Sequence, residues 1–110
     1  MQLVGAIYDA TDAFPQHEIY GLASQLRCAA VSIPSNIAEG QAHYTNREFI
    51  RFLRHARGSL AEIETPILIS KGRGYLREEQ ADKLIGQAGE LGRVLSGLIN
   101  SMKKLEDDRG

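Results

Sequence analysis

The stretch from Leu22 to Gly40, LASQLRCAAVSIPSNIAEG, constrains the fold more than any other, because it joins an apolar helical face, a polar stripe and an internal proline. Wound at about 100° per residue, it sets Ile19, Leu22, Leu26, Ala30, Ile33 and Ile37 on one face. Gln25, Ser32, Asn36 and Glu39 form a neighbouring polar stripe. Such a stripe reads as a set of interhelical or intersubunit hydrogen-bonding groups that define one packing register. Pro34 offers no N–H to the carbonyl four residues back and its ring crowds that carbonyl, so a helix kink is expected between Ala30 and Pro34. Gly40 is the expected C-terminal stop.

The rest of the chain supplies helices to pack against it. Leu3, Val4, Ile7, Tyr8 and Thr11 repeat at helical spacing until Phe14-Pro15, where the residue before proline leaves the helical region. The second helix is expected to begin around Gln16 to Glu18 and to end near Gly40. Thr45-Asn46-Arg47-Glu48 is a capping-box pattern that starts a third helix. That helix carries Phe49, Leu53, Ala56, Leu60, Ile63 and Ile67 on one stripe until Lys71-Gly72-Arg73-Gly74 breaks it, with Pro66 expected to kink or loosen its last turns. A fourth, from about Glu78 to Leu105, places Leu84, Leu91, Leu95, Leu98, Met102 and Leu105 together. Its glycines at 86, 89, 92 and 97 each cost about 1 kcal/mol against alanine, so packing rather than propensity must hold it.

No strand pattern competes, and short connections make neighbours antiparallel, so the expected fold is all-α, an antiparallel up-down-up-down four-helix bundle. Residues 1–105 form a single domain and 106–110 a frayed tail. Pairing the second and third helices across their loop sets Ile37 near Phe49, Ile33 near Phe52 or Leu53, Ala30 near Ala56, and Leu26 near Leu60. At about 1.5 Å per residue the first helix spans roughly half the length of the second. Either chain is missing upstream, or apolar surface of the second and fourth helices stays uncovered, in which case self-association is expected.

Composition narrows function mainly by exclusion. With 43% hydrophobic and 25% charged residues the chain is too apolar for disorder. A formal charge of −1 means that any attraction to nucleic acid must come from a local patch. The lone Cys28 excludes an intrachain disulfide and reads as a small buried hydrophobe. No apolar run approaches a membrane span of about 20 residues and the N-terminus has no signal core, so a cytoplasmic location is expected.

The one candidate patch is Arg47, Arg51, Arg54 and His55, projecting from the outward side of the third helix, where it could meet RNA phosphates. The plainer reading is a solvated charged face. Arg57, seven residues before Glu64, is expected to form a structural ion pair. Catalysis finds little support. All-α ribonucleases of the HEPN type set an arginine and a histidine on one helix with a wider gap than the three residues between Arg51 and His55. His17, His43 and His55 show no metal-ligand spacing, and no nucleophile, base and orienting group share one place. No cofactor is implied. A ribonuclease-like enzyme and a purely structural assembly protein are the alternatives to a non-catalytic scaffold.

Two long motifs in order, YGLASQLRCAAVSIPSNIAEG and REFIRFLRHARGSLAEIET, resemble the bacterial four-helix-bundle family encoded in intervening sequences of 23S ribosomal RNA genes. The resemblance covers residues 7 to about 76. It implies a homopentamer without known enzymatic activity, related to the accessory proteins of diversity-generating retroelements, basic pentamers that associate with a reverse transcriptase and RNA. Structured RNA or a reverse transcriptase are thus the implied partners besides the chain itself. Cys28 and His43 stand where the family commonly carries arginine, Pro66 is atypical, and the first helix is shorter than usual.

Overall fold

The computed structural model describes residues 1–42 and 45–109, with side chains as far as Asp107. Its regular structure is helical throughout: α1 (Gln2–Thr11), a short 3-10 turn (Gln16–Glu18), α2 (Leu22–Gln41), α3 (Asn46–Gly72) and α4 (Glu78–Arg109). Among the described residues there is no strand.

The helix ends follow from local chemistry. Thr45 is extended (φ −113°, ψ 146°) and its hydroxyl accepts from the Glu48 amide at 3.2 Å, so the cap read from the sequence is present. Glu48 in the first turn and Lys71 in the last oppose the helix dipole. Beyond α3 the chain turns through Gly74, whose φ of 81° lies in the left-handed region that glycine enters without penalty. The amides of Tyr75 and Leu76 then fold back onto the Ser70 carbonyl at 2.9 and 3.3 Å. The side-chain carbonyl of Gln80 accepts from the Arg77 amide at 2.9 Å and caps α4.

The second helix starts later than expected, at Leu22 rather than within Gln16–Glu18. Glu18 is why: its carboxylate accepts from the Leu22 amide at 3.3 Å, so the preceding turn caps the helix instead of being its first turn. A side chain at Gly21 would collide with that carboxylate. Ile19, left outside the helix, is 45% exposed and does not belong to the apolar face.

Gly40 does not stop α2, which runs on to Gln41. It is buried, and a Cβ there would stand 2.8 Å from the Phe49 ring and 2.9 Å from Phe52 Cβ. Its role is a close approach of α2 to α3, about one turn further along α3 than the pairing of Ile37 with Phe49 implies. α2 and α3 continue as single helices through Pro34 and Pro66, and Pro66 is buried.

α2 packs on α3, α3 on α4, and α1 on both α2 and α4, whereas no Cα of α2 comes within 8 Å of one of α4 among the described residues. Four corners result, with α2 and α4 on one diagonal. The core runs along them through Leu3 and Ile7, Leu26 and Ile33, Leu53 and Ile63, and Leu84 and Leu95. In α4 the buried line departs from the expected one: Ala88 and Ile99 are core, while Leu98 is 37% and Leu105 52% exposed. Leu84, Leu91, Leu98 and Leu105 repeat every seven residues, and on a 3.6-residue helix that stripe drifts about 20° per heptad. By Leu98 it has turned off the core. α4 also continues past Leu105, so positions 106–109 are helical.

The corners are unequal in length. α1 has 10 residues and α4 has 32, about 15 Å against about 48 Å, in a body measuring 52 × 22 × 18 Å. Arg27 is the tether that holds the short helix. Its Nε donates to Thr11 Oγ1 at 2.8 Å, its Nη2 pairs with Asp12 at 2.9 Å, and its guanidinium lies 4.9 Å from the centre of the Tyr8 ring.

Two stability outcomes follow from these contacts. Gly40→Ala should cost about 1–3 kcal/mol by overpacking the phenylalanines. Gly58→Ala, in α3 with nothing within 4 Å of the added methyl, should instead stabilise by about 0.5–1 kcal/mol. Urea unfolding of both variants reads the opposite signs. Arg27→Ala should cost about 1–2 kcal/mol, with hydrogen exchange accelerated in α1 before the other helices. Uniform acceleration across all four helices would show that Arg27 does not hold α1 specifically.

Candidate arginine face

The first turns of α3 present Arg47, Arg51, Arg54 and His55 on its solvent side, and all four are exposed. α3 is anchored here by its Thr45 cap and by Phe49, Ile50 and Leu53 against the core, which fixes the spacing of the outward residues. The face is not a free-standing charged surface. It forms one wall of an open groove of about 470 Å³, whose other wall is the last turns of α4, Lys103, Glu106 and Asp107.

Charge in this groove is mixed. Arg47, Arg51, Arg54 and Lys103 supply four positive charges, and Glu48, Glu106 and Asp107 three negative ones. Arg51 is committed: its Nη2 pairs with Glu48 at 2.8 Å, and its guanidinium sits 4.6 Å from the centre of the Phe52 ring. Phe52 in turn meets the His55 ring edge-on, with centroids 5.9 Å apart. Arg47 and Arg54 have no ion-pair partner among the described residues. The arrangement can hold anions at two exposed guanidiniums beside a stacked arginine, phenylalanine and histidine.

Two members of the polar stripe of α2, Ser32 and Asn36, spend hydrogen bonds on their own helix. Ser32 Oγ donates to the Ala29 carbonyl at 2.7 Å, and Asn36 Nδ2 donates to the Ser32 carbonyl at 2.7 Å. Ser32 and Asn36 are half-buried, whereas Gln25 and Glu39 are exposed. Cys28 is exposed rather than buried. Arg57 does not pair with Glu64; its Nη1 donates to Ser96 Oγ on α4 at 3.3 Å.

His17 and His55 lie apart, and His43 falls outside the described residues. His17 Nε2 lies 3.3 Å from the Tyr75 hydroxyl, and Phe14 stacks on Tyr75 at 5.5 Å, joining the two loops at one end of the bundle. The neighbouring Tyr75 hydroxyl raises the pKa of the Arg73 guanidinium. Among the described residues no three His, Cys, Asp or Glu side chains gather to hold a metal ion. No described helix is long and apolar enough to cross a membrane.

The Arg27 tether and the α4 wall of the arginine groove went unforeseen. The first links positions 15 and 16 apart through side chains whose spacing has no helical period. The second depends on how far α4 reaches.

Comparison with known proteins agrees with this architecture. A protein of unknown function from the S23 ribosomal protein family of Bacteroides thetaiotaomicron VPI-5482 superposes with a TM-score of 0.75 over 87% of each chain at 20% identity, which shows a shared fold. No curated protein matches the sequence. The model of the 23S rRNA-intervening sequence protein family matches residues 1–97. Neither the family nor the solved relative carries a described reaction. With that match spanning nearly all of the four-helix bundle, the chain belongs to the 23S rRNA-intervening sequence protein family.

Proposed function

We propose that this protein is a non-catalytic, cytoplasmic building block of a homo-oligomer, a ring of five copies, that associates with structured RNA through the arginine face of α3. The observation that carries the RNA reading is the pair of exposed guanidiniums at Arg47 and Arg54, which have no ion-pair partner among the described residues and are set by a capped, well-packed helix. One copy at net −1 offers little to a polyanion. A ring repeats the face, and the phosphate contribution grows with the number of contacts neutralised. The family's connection with 23S rRNA intervening sequences supports RNA over other anions.

Binding of this kind is indifferent to base sequence, since guanidinium–phosphate contacts position without reading bases. It is also steep in salt. Three phosphate contacts on one engaged face weaken binding about 40-fold between ~50 mM and ~200 mM salt.

Titration of labelled structured RNA at those two salt concentrations, with light scattering on the same samples, provides the test. The wild type should assemble as a closed ring and bind in the salt-dependent manner. Arg54→Glu should abolish binding with the ring intact, and Arg51→Glu should weaken it less, because Glu48 already offsets Arg51. A monomer would refute the scaffold. A ring that ignores RNA at the lower salt, or binds it regardless of salt and charge reversal, would leave a scaffold for a protein partner such as a reverse transcriptase.

A further inference from the structure

The two walls of the arginine groove differ in how they are held. The α3 wall is anchored by Ile50 and Leu53 in the core, whereas the α4 wall is the far end of a helix that has run past the core. Ile99 is the last buried residue described in α4, Met102 is half-buried against the core, and Leu105 is 52% exposed. Glu106, which lines the groove, is nevertheless half-buried.

Antiparallel packing fixes what faces what. A Cβ on Gly92 would stand 3.3 Å from Leu60 Cδ2, and Arg57 Nη1 reaches Ser96 Oγ at 3.3 Å. Each step further along α4 is therefore a step nearer the start of α3, and in that register Glu106 lies about level with Arg47, and Lys103 about level with Ile50. Glu106 and Asp107 thus stand at the N-terminal end of α3. That end is positive twice over, through the dipole of a 27-residue helix and through the guanidinium of Arg47. On their own helix the same two carboxylates occupy the last turns, where the dipole favours cations. Their unfavourable place in α4 is offset across the groove.

Neither carboxylate closes onto an arginine. Among the described residues Glu106 and Asp107 make no ion pair, while Arg51 is paired with Glu48. The two signs face each other across an open space of about 470 Å³. A phosphate group entering it meets Arg47 and Arg54 on one side and two carboxylates on the other. Lys103 differs in sign. It lies one turn before Glu106 and Asp107 on the same face of α4 and adds a cation to an acidic wall.

We propose that the end of α4 regulates the arginine face: Glu106 and Asp107 are a resident competitor that holds down its affinity for phosphate chains, and Lys103 opposes them from the same wall. The competition rests on the RNA reading put forward above and adds the regulation of that site. Carboxylates repel phosphate through a few ångströms of solvent, so the wall acts without closing on the arginines. Neutralising it leaves one carboxylate in the groove, Glu48, already paired with Arg51.

Full-length variants read the wall from both sides. Glu106→Gln with Asp107→Asn preserves side-chain size and should tighten binding of labelled structured RNA about 5-fold at ~50 mM salt, a gain that shrinks at ~200 mM as screening shortens the reach of the carboxylates. Lys103→Gln should weaken binding about 2- to 3-fold. Asp82→Asn with Glu90→Gln removes the same charge from α4 at more than about 20 Å from the wall, beyond the Debye length, and should change binding less than about 2-fold. Inorganic polyphosphate is the second probe, a phosphate chain without bases. Circular dichroism and light scattering on each variant should match the wild type. Unchanged affinity in either groove variant, or an equal gain from the remote pair, would overturn the competition and leave the RNA reading in place. Polyphosphate that obeys the wall while RNA stays unbound would keep the competition and remove the RNA reading. Failure of every variant to bind either probe would remove both.

Discussion

The close approach of α2 and α3 is the contact on which the rest of the bundle depends. It is the largest helix–helix contact in the molecule. Small residues make it possible: Ala30 and Ala56 are fully buried, and Gly40 leaves the space that Phe49 and Phe52 occupy. Backbone approach at such positions lets Leu26, Ile33, Leu53 and Ile63 interdigitate with no exposure above a few per cent. α4 then lies along the other flank of α3, with Gly92 close against Leu60 and Arg57 bridging to Ser96. α1 adds to a pair of surfaces already defined.

That order explains why α1 needs a polar tether. A 10-residue helix buries little, essentially Leu3, Ile7 and Thr11, and has no side-chain cap. Isolated helices of this length are marginal in water. Arg27 compensates from α2 by binding the C-terminal turn of α1 at three points, through Thr11, Asp12 and the ring of Tyr8. Thr11 itself is tied to the Ile7 carbonyl at 2.7 Å, so its oxygen is held where the guanidinium reaches it. The tether fixes where α1 ends on the bundle.

Periodicity and local turn chemistry were legible in the sequence: four helices, the Thr45 cap, the break near Gly74 and most of the core. The face of α4 was misjudged because a leucine heptad is conspicuous in sequence, whereas a straight helix rotates it away from the core and brings Ala88 and Ile99 inward. The start of α2 was misplaced because Glu18 acts through a side-chain bond that resembles continued helix in a residue string. Gly40 looked like a terminator because glycine commonly is one; only tertiary packing shows that it yields space to Phe49 and Phe52. At the arginine face, helical angles placed Arg47, Arg51, Arg54 and His55 together on the solvent side. The acidic wall from α4 lies some fifty residues away in sequence, and no short-range pattern reports it.

Charge is spread unevenly around α4, and the arginine groove takes only one of its sides. On α4, Leu98 and Asp107 stand about 180° apart around the helix, and Leu98 and Lys103 about 140°. The exposed apolar side of α4 and its wall of the arginine groove are therefore different sides of the same helix. α2 contributes nothing to that groove. Mixed charge then limits what each face can do. With three carboxylates beside four cations, a single groove attracts a phosphate chain weakly. In the proposed ring, repetition would raise the affinity of such a groove, since linked weak contacts act at high effective concentration. On that reading assembly is the condition for binding, and an assembly-deficient chain with every arginine intact would retain only the weak attraction of one face.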